Sequence, residues 1–136
     1  MSLNAELRSY RLIYPEKKGE AMQRALITLE GPDGSGKSTQ AALLAERLRQ
    51  MGLPVALTRE PGGTPLGLKL REILLDPGSH LTVMTEVLLM AADRAQHVEE
   101  VIKPALENNK IVICDRYVDS SLAYQGYGLL GDLSHV

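Results

Sequence analysis

A layered α/β fold with a parallel sheet is what this sequence predicts, and three observations carry the prediction. Short apolar runs at 25–30, 54–58 and 111–114 are separated by segments with helical periodicity. A glycine-rich run joins the first apolar run directly to the first helical pattern. Charged residues fall just past the carboxyl end of each run, Asp33 after the first, Arg59 after the second and Asp115 after the third. That end of a parallel sheet is where ligands bind.

The first strand is Ala25-Leu-Ile-Thr-Leu29 with Glu30, and the helix after it spans 37–51. Ala41, Leu44, Leu48 and Met51 share one helical face, and Gly52 supplies the stop. A second short buried strand at 54–58 runs into the turn-rich Arg59-Glu-Pro-Gly-Gly-Thr64. Leu66, Leu70, Ile73 and Leu74 then recur at helical spacing up to Asp76-Pro-Gly78, whose residues end a helix. A long helix is expected over 82–108, with Pro104 marking a kink or break near its end. Ile111-Val-Ile-Cys114 is continuously apolar, which predicts a strand buried on both faces.

With 136 residues, 44% of them hydrophobic, the chain can bury one core and hardly a second. A single domain over 24–136 follows. Residues 1–23 show no clear periodicity and read as an appendage, natural or added, with Met22 as an alternative start. Fifteen basic against seventeen acidic residues leave a net charge of -2 and no basic run. Nucleic acid and anionic membrane surfaces are therefore not expected partners. The lone Cys114 cannot form an internal disulfide, and no segment has the apolar length of a signal sequence or membrane span, so a reducing, cytoplasmic setting is expected. Cys114 itself is expected to be a small buried hydrophobe. His80, His97 and His135 lack metal-ligand spacing and are expected to be structural or exposed.

Gly31-Pro-Asp-Gly-Ser-Gly-Lys37-Ser38 has the spacing of a phosphate-binding loop in the strand-to-helix context that such a loop needs. Its glycines let several backbone N–H groups turn toward one point, and the following helix aims its positive dipole end at the same point. Lys37 adds a positive charge there, and the Ser38 hydroxyl is placed to hold Mg²⁺. The implied ligand is a nucleoside triphosphate. Asp115, directly after the third strand, is positioned to reach the same Mg²⁺, although Asp at a strand end also serves as a turn former or helix cap. Arg116 beside it carries the planar fork that binds phosphate oxygens.

Four segments in order, Leu29-Glu-Gly-Pro-Asp-Gly-Ser-Gly-Lys-Ser-Thr-Gln40, Thr58-Arg-Glu-Pro-Gly-Gly-Thr64, Ala91-Ala-Asp-Arg-Ala-Gln-His97 and Asp115-Arg-Tyr-Val-Asp-Ser-Ser-Leu-Ala-Tyr-Gln-Gly126, resemble the bacterial thymidylate kinase family. The resemblance implies a P-loop NTPase fold of the nucleoside monophosphate kinase kind, a three-layer α/β/α sandwich. It implies transfer of the γ-phosphoryl group of ATP to dTMP, with Mg²⁺ and a homodimer built on residues 66–75 and 83–101. By the same resemblance Gly31, Gly34, Ser35, Gly36, Lys37, Ser38 and Thr39 bind ATP, Ser38 and Asp115 hold the metal, and Lys37, Asp115 and Arg116 are catalytic. Asp33 would accept from the sugar 3′-hydroxyl, or serve only as a turn residue. Arg71 and Arg116 would grip the acceptor phosphate, though Arg71 also suits a solvated helix surface. Arg94 would donate to thymine, its alternative being an ion pair with Glu86, Glu99 or another neighbour. Ser121, Tyr124 and Gln125 fall where the family contacts the base and crowds the 2′ position, Tyr124 being otherwise an ordinary packing residue. Pro61 would stiffen the acceptor-side turn, and Glu60 would orient an arginine or the metal shell.

Two departures from the family pattern matter. Met90 stands where the family commonly places a phenylalanine against thymine, and this chain has no Phe. A thioether still packs against a ring, with looser selectivity, and Met90 would otherwise be a core residue on an apolar helix face. Gly34 after the loop carboxylate marks the branch that keeps its catalytic arginine in a lid, and the sequence runs to Val136 without a lid or the last strands. Losing such an arginine costs on the order of 10³–10⁵ in rate, so a chain ending there is expected to be nearly inactive. Two other readings stay open: a kinase for a different deoxynucleoside monophosphate, and a nucleotide-binding module without turnover.

Overall fold

The computed structural model describes residues 10–13 and 24–116. Its sheet has four strands in the order β1 (Tyr10–Ile13), β2 (Ala25–Leu29), β4 (Ile111–Asp115), β3 (Val55–Arg59). The last three are mutually parallel, because helices carry the chain back between them. β1 was not legible in the sequence. It lies antiparallel on the outer edge of β2, with Tyr10 opposite Leu29, and four residues are too few to establish a period.

Register sets up everything that follows. Leu29 lies opposite Asp115 and Asp115 opposite Arg59, so the three parallel strands end in one row. The ladder continues one rung further, with the Arg116 amide donating to the Leu29 carbonyl (3.0 Å) and the Glu60 amide to the Asp115 carbonyl (3.1 Å). The loop after β2, the turn after β3 and Arg116 therefore leave the sheet side by side.

Two apolar layers sandwich the sheet. Ala25, Leu29, Ile111 and Ile113 face α1 (Lys37–Gln50), whereas Leu26, Val112 and Cys114 face Ile102 and Ala105 on the opposite side. This alternation along β4 gives the expected strand buried on both faces. α1 approaches the sheet through Ala41 and Ala45, whose small side chains permit close contact, with Leu44 and Leu48 flanking them. Met51 was expected on that face but is 63% exposed, because the helix ends there. The Gly52 amide donates to the Arg49 carbonyl and the Leu53 amide to the Leu48 carbonyl, with Gly52 at φ 81°, which is how a left-handed glycine closes a helix.

α2 (Pro65–Leu75) and α3 (Val83–His97) pack on each other. Each starts at a threonine whose hydroxyl accepts a first-turn amide, Thr64 from Gly67 (2.9 Å) and Thr82 from Thr85 (3.2 Å). The single helix expected over 82–108 is instead three pieces. α3 passes into a π-helical turn, Val98–Ile102, and then into α4 (Lys103–Glu107). Pro104 lacks an amide and its ring collides with the carbonyl four residues back in a regular helix, so the turn before it widens. Among the described residues no helix is long and apolar enough to cross a membrane.

Candidate active site

The chain between β2 and α1 has glycines at φ 150° (Gly31), 77° (Gly34) and 86° (Gly36). A Cβ at Gly34 or Gly36 would touch nothing among the described residues, and the positive φ at both is what favours glycine there. Gly36 is the N-cap of α1 and no side chain caps the helix; the first intrahelical bond runs from the Gln40 amide to the Gly36 carbonyl (2.9 Å). The amides of the first turn thus lack helical acceptors and converge at the positive end of the helix dipole. Lys37 arches over the loop, its Nζ donating to the Pro32 carbonyl (2.8 Å).

The Ser38 hydroxyl donates to Oδ2 of Asp115, linking the helix start to the end of β4. The other carboxylate oxygen, Oδ1, is buried and has no hydrogen-bond partner among the described residues. A buried acceptor next to a hydroxyl suits a hard divalent cation. Among the described residues no group of three His, Cys, Asp or Glu side chains could hold a metal ion. Such a cation would rely on one carboxylate, one hydroxyl and oxygens from ligand or water, which is the way Mg²⁺ is usually bound beside phosphates.

Facing the loop stand the arginines. Arg116 takes φ 68°, a left-handed conformation that costs a non-glycine residue roughly 1–2 kcal/mol. Its guanidinium forms an ion pair with Asp33 across the mouth of the site. Arg71 reaches back from α2 to donate from Nη1 to the Pro61 carbonyl (3.1 Å). Between loop and arginines lies a cavity of about 350 Å³, lined by Asp33, Gly34, Gly36, Lys37, Ser38 and Thr39 on one side and by Arg59, Glu60, Arg71, Asp115 and Arg116 on the other.

A buried polar network supports the far wall. The Glu60 side chain is 1% exposed; Oε2 accepts from Nε (2.9 Å) and Nη2 (2.8 Å) of Arg94, and Oε1 lies 2.8 Å from Nδ1 of His97. His97 Nε2 lies 2.6 Å from the Thr58 hydroxyl. The Gly62 amide donates to Asp93 Oδ1 (3.1 Å), while Asp93 Oδ2 is buried with no partner among the described residues. Burial pushes the Asp93 carboxyl above its ordinary range; the Gly62 amide opposes this, the Glu60 charge adds to it, and His97 and Arg94 oppose it. The Glu60–Pro61 peptide is cis.

Ten of the residues singled out in the sequence line this one cavity: Asp33, Gly34, Gly36, Lys37, Ser38, Thr39, Glu60, Arg71, Asp115 and Arg116. Gly31 and Ser35 shape the loop behind them, Pro61 holds Arg71 through its carbonyl, and Arg94 stands one residue back, against Glu60. Arg94 pairs with Glu60, one of the other neighbours allowed for beside Glu86 and Glu99. Met90 is partly buried on α3, one turn before Arg94, and is not among the lining residues. Ser121, Tyr124 and Gln125 lie outside the described residues. Cys114 is fully buried, its thiol donates to the Arg116 carbonyl (2.9 Å), and burial pushes its pKa far up, as a packing residue requires. Arg59, expected at the ligand-binding end of the sheet but given no role there, also lines the cavity, whereas Thr58, Asp93 and His97 were not singled out for the site. The signal for two of them was available, since Asp93, Arg94 and His97 recur at helical spacing and put three ionisable groups on one side of α3.

The family model described as thymidylate kinase matches residues 29–135. A thymidylate kinase from an Exiguobacterium species is 57% identical over 116 residues, covering 85% of this chain and 55% of that protein. One from Halothermothrix orenii is 59% identical over 107 residues, covering 79% of this chain and 52% of the relative. The crystal structure of thymidylate kinase from Ehrlichia chaffeensis superposes with a TM-score of 0.77 at 50% identity, covering 82% of this chain and 63% of that one. The chain spans about half the length of the relatives it matches.

Proposed function

The chain belongs to the thymidylate kinase family, and from that premise we propose that it serves transfer of the γ-phosphoryl group of ATP to dTMP, giving ADP and dTDP. The observation that carries the reading is the shared cavity in which Lys37 and the loop amides face Arg71 and Arg116. Two polyanions meeting head to head need that arrangement, because phosphoryl transfer is catalysed mainly by positioning and charge.

In this reading the first-turn amides and Lys37 bind the β- and γ-phosphates. Ser38 and Asp115 would hold Mg²⁺, which supplies charge neutralisation across the triphosphate. Arg71 and Arg116 bind the acceptor phosphate, an oxygen of which forms the new bond to Pγ as the bond from Pγ to the ADP oxygen breaks. Asp33 accepts from the 3′-hydroxyl once the acceptor phosphate competes with it for Arg116. Arg94, held by Glu60, donates to thymine, with Met90 packing nearby and Ser121, Tyr124 and Gln125 completing the base and sugar contacts.

A homodimer in the cytoplasm belongs to the same proposal. Its support is the outward apolar surface of α2 and α3, where Leu66, Leu68, Ile73, Leu75, Met84 and Leu88 are each more than 40% exposed. Residues 24–136 form the kinase domain, and 1–23 an appendage whose strand β1 extends the sheet.

Assaying a protein of the relatives' full length that carries these residues, with dTMP, dUMP, dCMP and dGMP as acceptors, tests the assignment. The expected order is dTMP first, with dUMP weaker and dCMP and dGMP poor; for dCMP the reason is that Arg94 is a donor that matches a thymine carbonyl and not a cytosine amine. Comparable rates on dCMP or dGMP would favour a kinase for another deoxynucleotide.

A further inference from the structure

We propose that His97 is a positioning residue for acceptor-base recognition, acting through Glu60 on the guanidinium of Arg94; this rests on the reading of Arg94 as the thymine-facing arginine. The imidazole is fully buried and engaged at both nitrogens, by Glu60 Oε1 and by Thr58 Oγ1. A carboxylate only accepts, so Nδ1 carries a proton and donates to Glu60. The second oxygen of the same carboxylate takes Nε and Nη2 of Arg94, which fixes the plane of the guanidinium.

Thr58 stands on β3, His97 and Arg94 on α3, and Glu60 in the turn between β3 and α2. The bonds therefore run from the sheet through the ring to the carboxylate and on to the arginine. The turn is shaped around the ring. A Cβ at Gly63 would come within 2.5 Å of His97 Cδ2 and Nε2 and within 2.8 Å of the Arg59 carbonyl, so the imidazole fills the space a side chain would need. With the ring replaced by an aliphatic group, Glu60 Oε1 would be left buried without its donor. The carboxylate would then turn to satisfy that oxygen and take Arg94 with it.

A purely structural histidine and a positioning histidine differ in what else must be present for the effect. Titration calorimetry with dTMP and, separately, Mg·ATP is performed on the wild type, His97→Leu and His97→Asn, each with Arg94 intact and with Arg94→Ala. The amide nitrogen of asparagine falls near the place of Nδ1 and keeps the donor to Glu60. His97→Leu is expected to weaken dTMP about tenfold, to leave ATP within about twofold, and to add less than about twofold in the Arg94→Ala background. His97→Asn should recover most of the loss. Should His97→Leu not fold, Thr58→Val removes only the outer partner of the ring and should give a smaller dTMP-specific loss that also vanishes with Arg94→Ala. Equal weakening of dTMP and ATP, or the same loss whether or not Arg94 is present, would overturn the inference. A wild type that binds ATP but not dTMP would instead sink the thymidylate reading, and the inference with it.

Discussion

Lys37→Ala is expected to lower ATP-dependent phosphoryl transfer by about 10²–10³-fold, the usual cost of removing one preorganised donor from a charge-stabilising site. Among the described residues the ammonium is the one formal positive charge on the loop side of the cavity, and it donates to the Pro32 carbonyl. Losing that contact removes about 1 kcal/mol at most, because the carbonyl can turn to water. Melting temperature should hence move little while ATP affinity and turnover collapse. A variant that still turns over at the wild-type rate would remove Lys37 from the phosphate site. A variant that unfolds would mean that the side chain braces the loop, and would separate that role from ligand binding.

Arg116→Ala is expected to weaken the acceptor nucleotide by about 10- to 150-fold, corresponding to the roughly 1.5–3 kcal/mol of a hydrogen bond to a charged group, while ATP affinity stays nearly constant. The backbone supports this separation. Arg116 already sits at φ 68°, so alanine inherits the conformational cost without adding to it, and the amide bond to Leu29 is kept. Asp33 loses its ion-pair partner but is 84% exposed, so water replaces the arginine. Arg116→Lys should recover part of the loss, since the charge returns without the planar fork. A dissociation constant for dTMP unchanged by Arg116→Ala would contradict the assignment, as would an equal loss of ATP.

The parallel sheet and the loop were legible because both rest on local signals. An unbroken apolar run such as Ile111–Cys114 predicts a strand buried on two faces, and glycine spacing before Lys37 predicts the amide cradle. Arg116 was legible from its place beside Asp115 at a strand end, whereas Arg71 was legible through the resemblance alone, since nothing local distinguishes it from a solvated helix residue. What escaped depends on contacts distant in sequence. Glu60 was expected to orient an arginine or the metal shell, but that the arginine is Arg94 and that His97 shares the carboxylate escaped, because both lie more than thirty residues away and only the turn after β3 brings them together. The widened turn at Val98–Ile102 escaped for a different reason: proline announces a break in a helix without saying which of several local repairs the backbone adopts. Strand β1 owes its existence to the open edge of β2 rather than to a pattern of its own.

A crystal structure with a non-hydrolysable ATP analogue and dTMP would locate the two phosphate chains directly. The β- and γ-phosphates are expected on the amides of residues 34–39 beside Lys37, with the dTMP phosphate between Arg71 and Arg116 and pointing at Pγ. Phosphates bound elsewhere, or a dTMP phosphate touching neither arginine, would contradict the head-to-head arrangement on which the proposed chemistry stands.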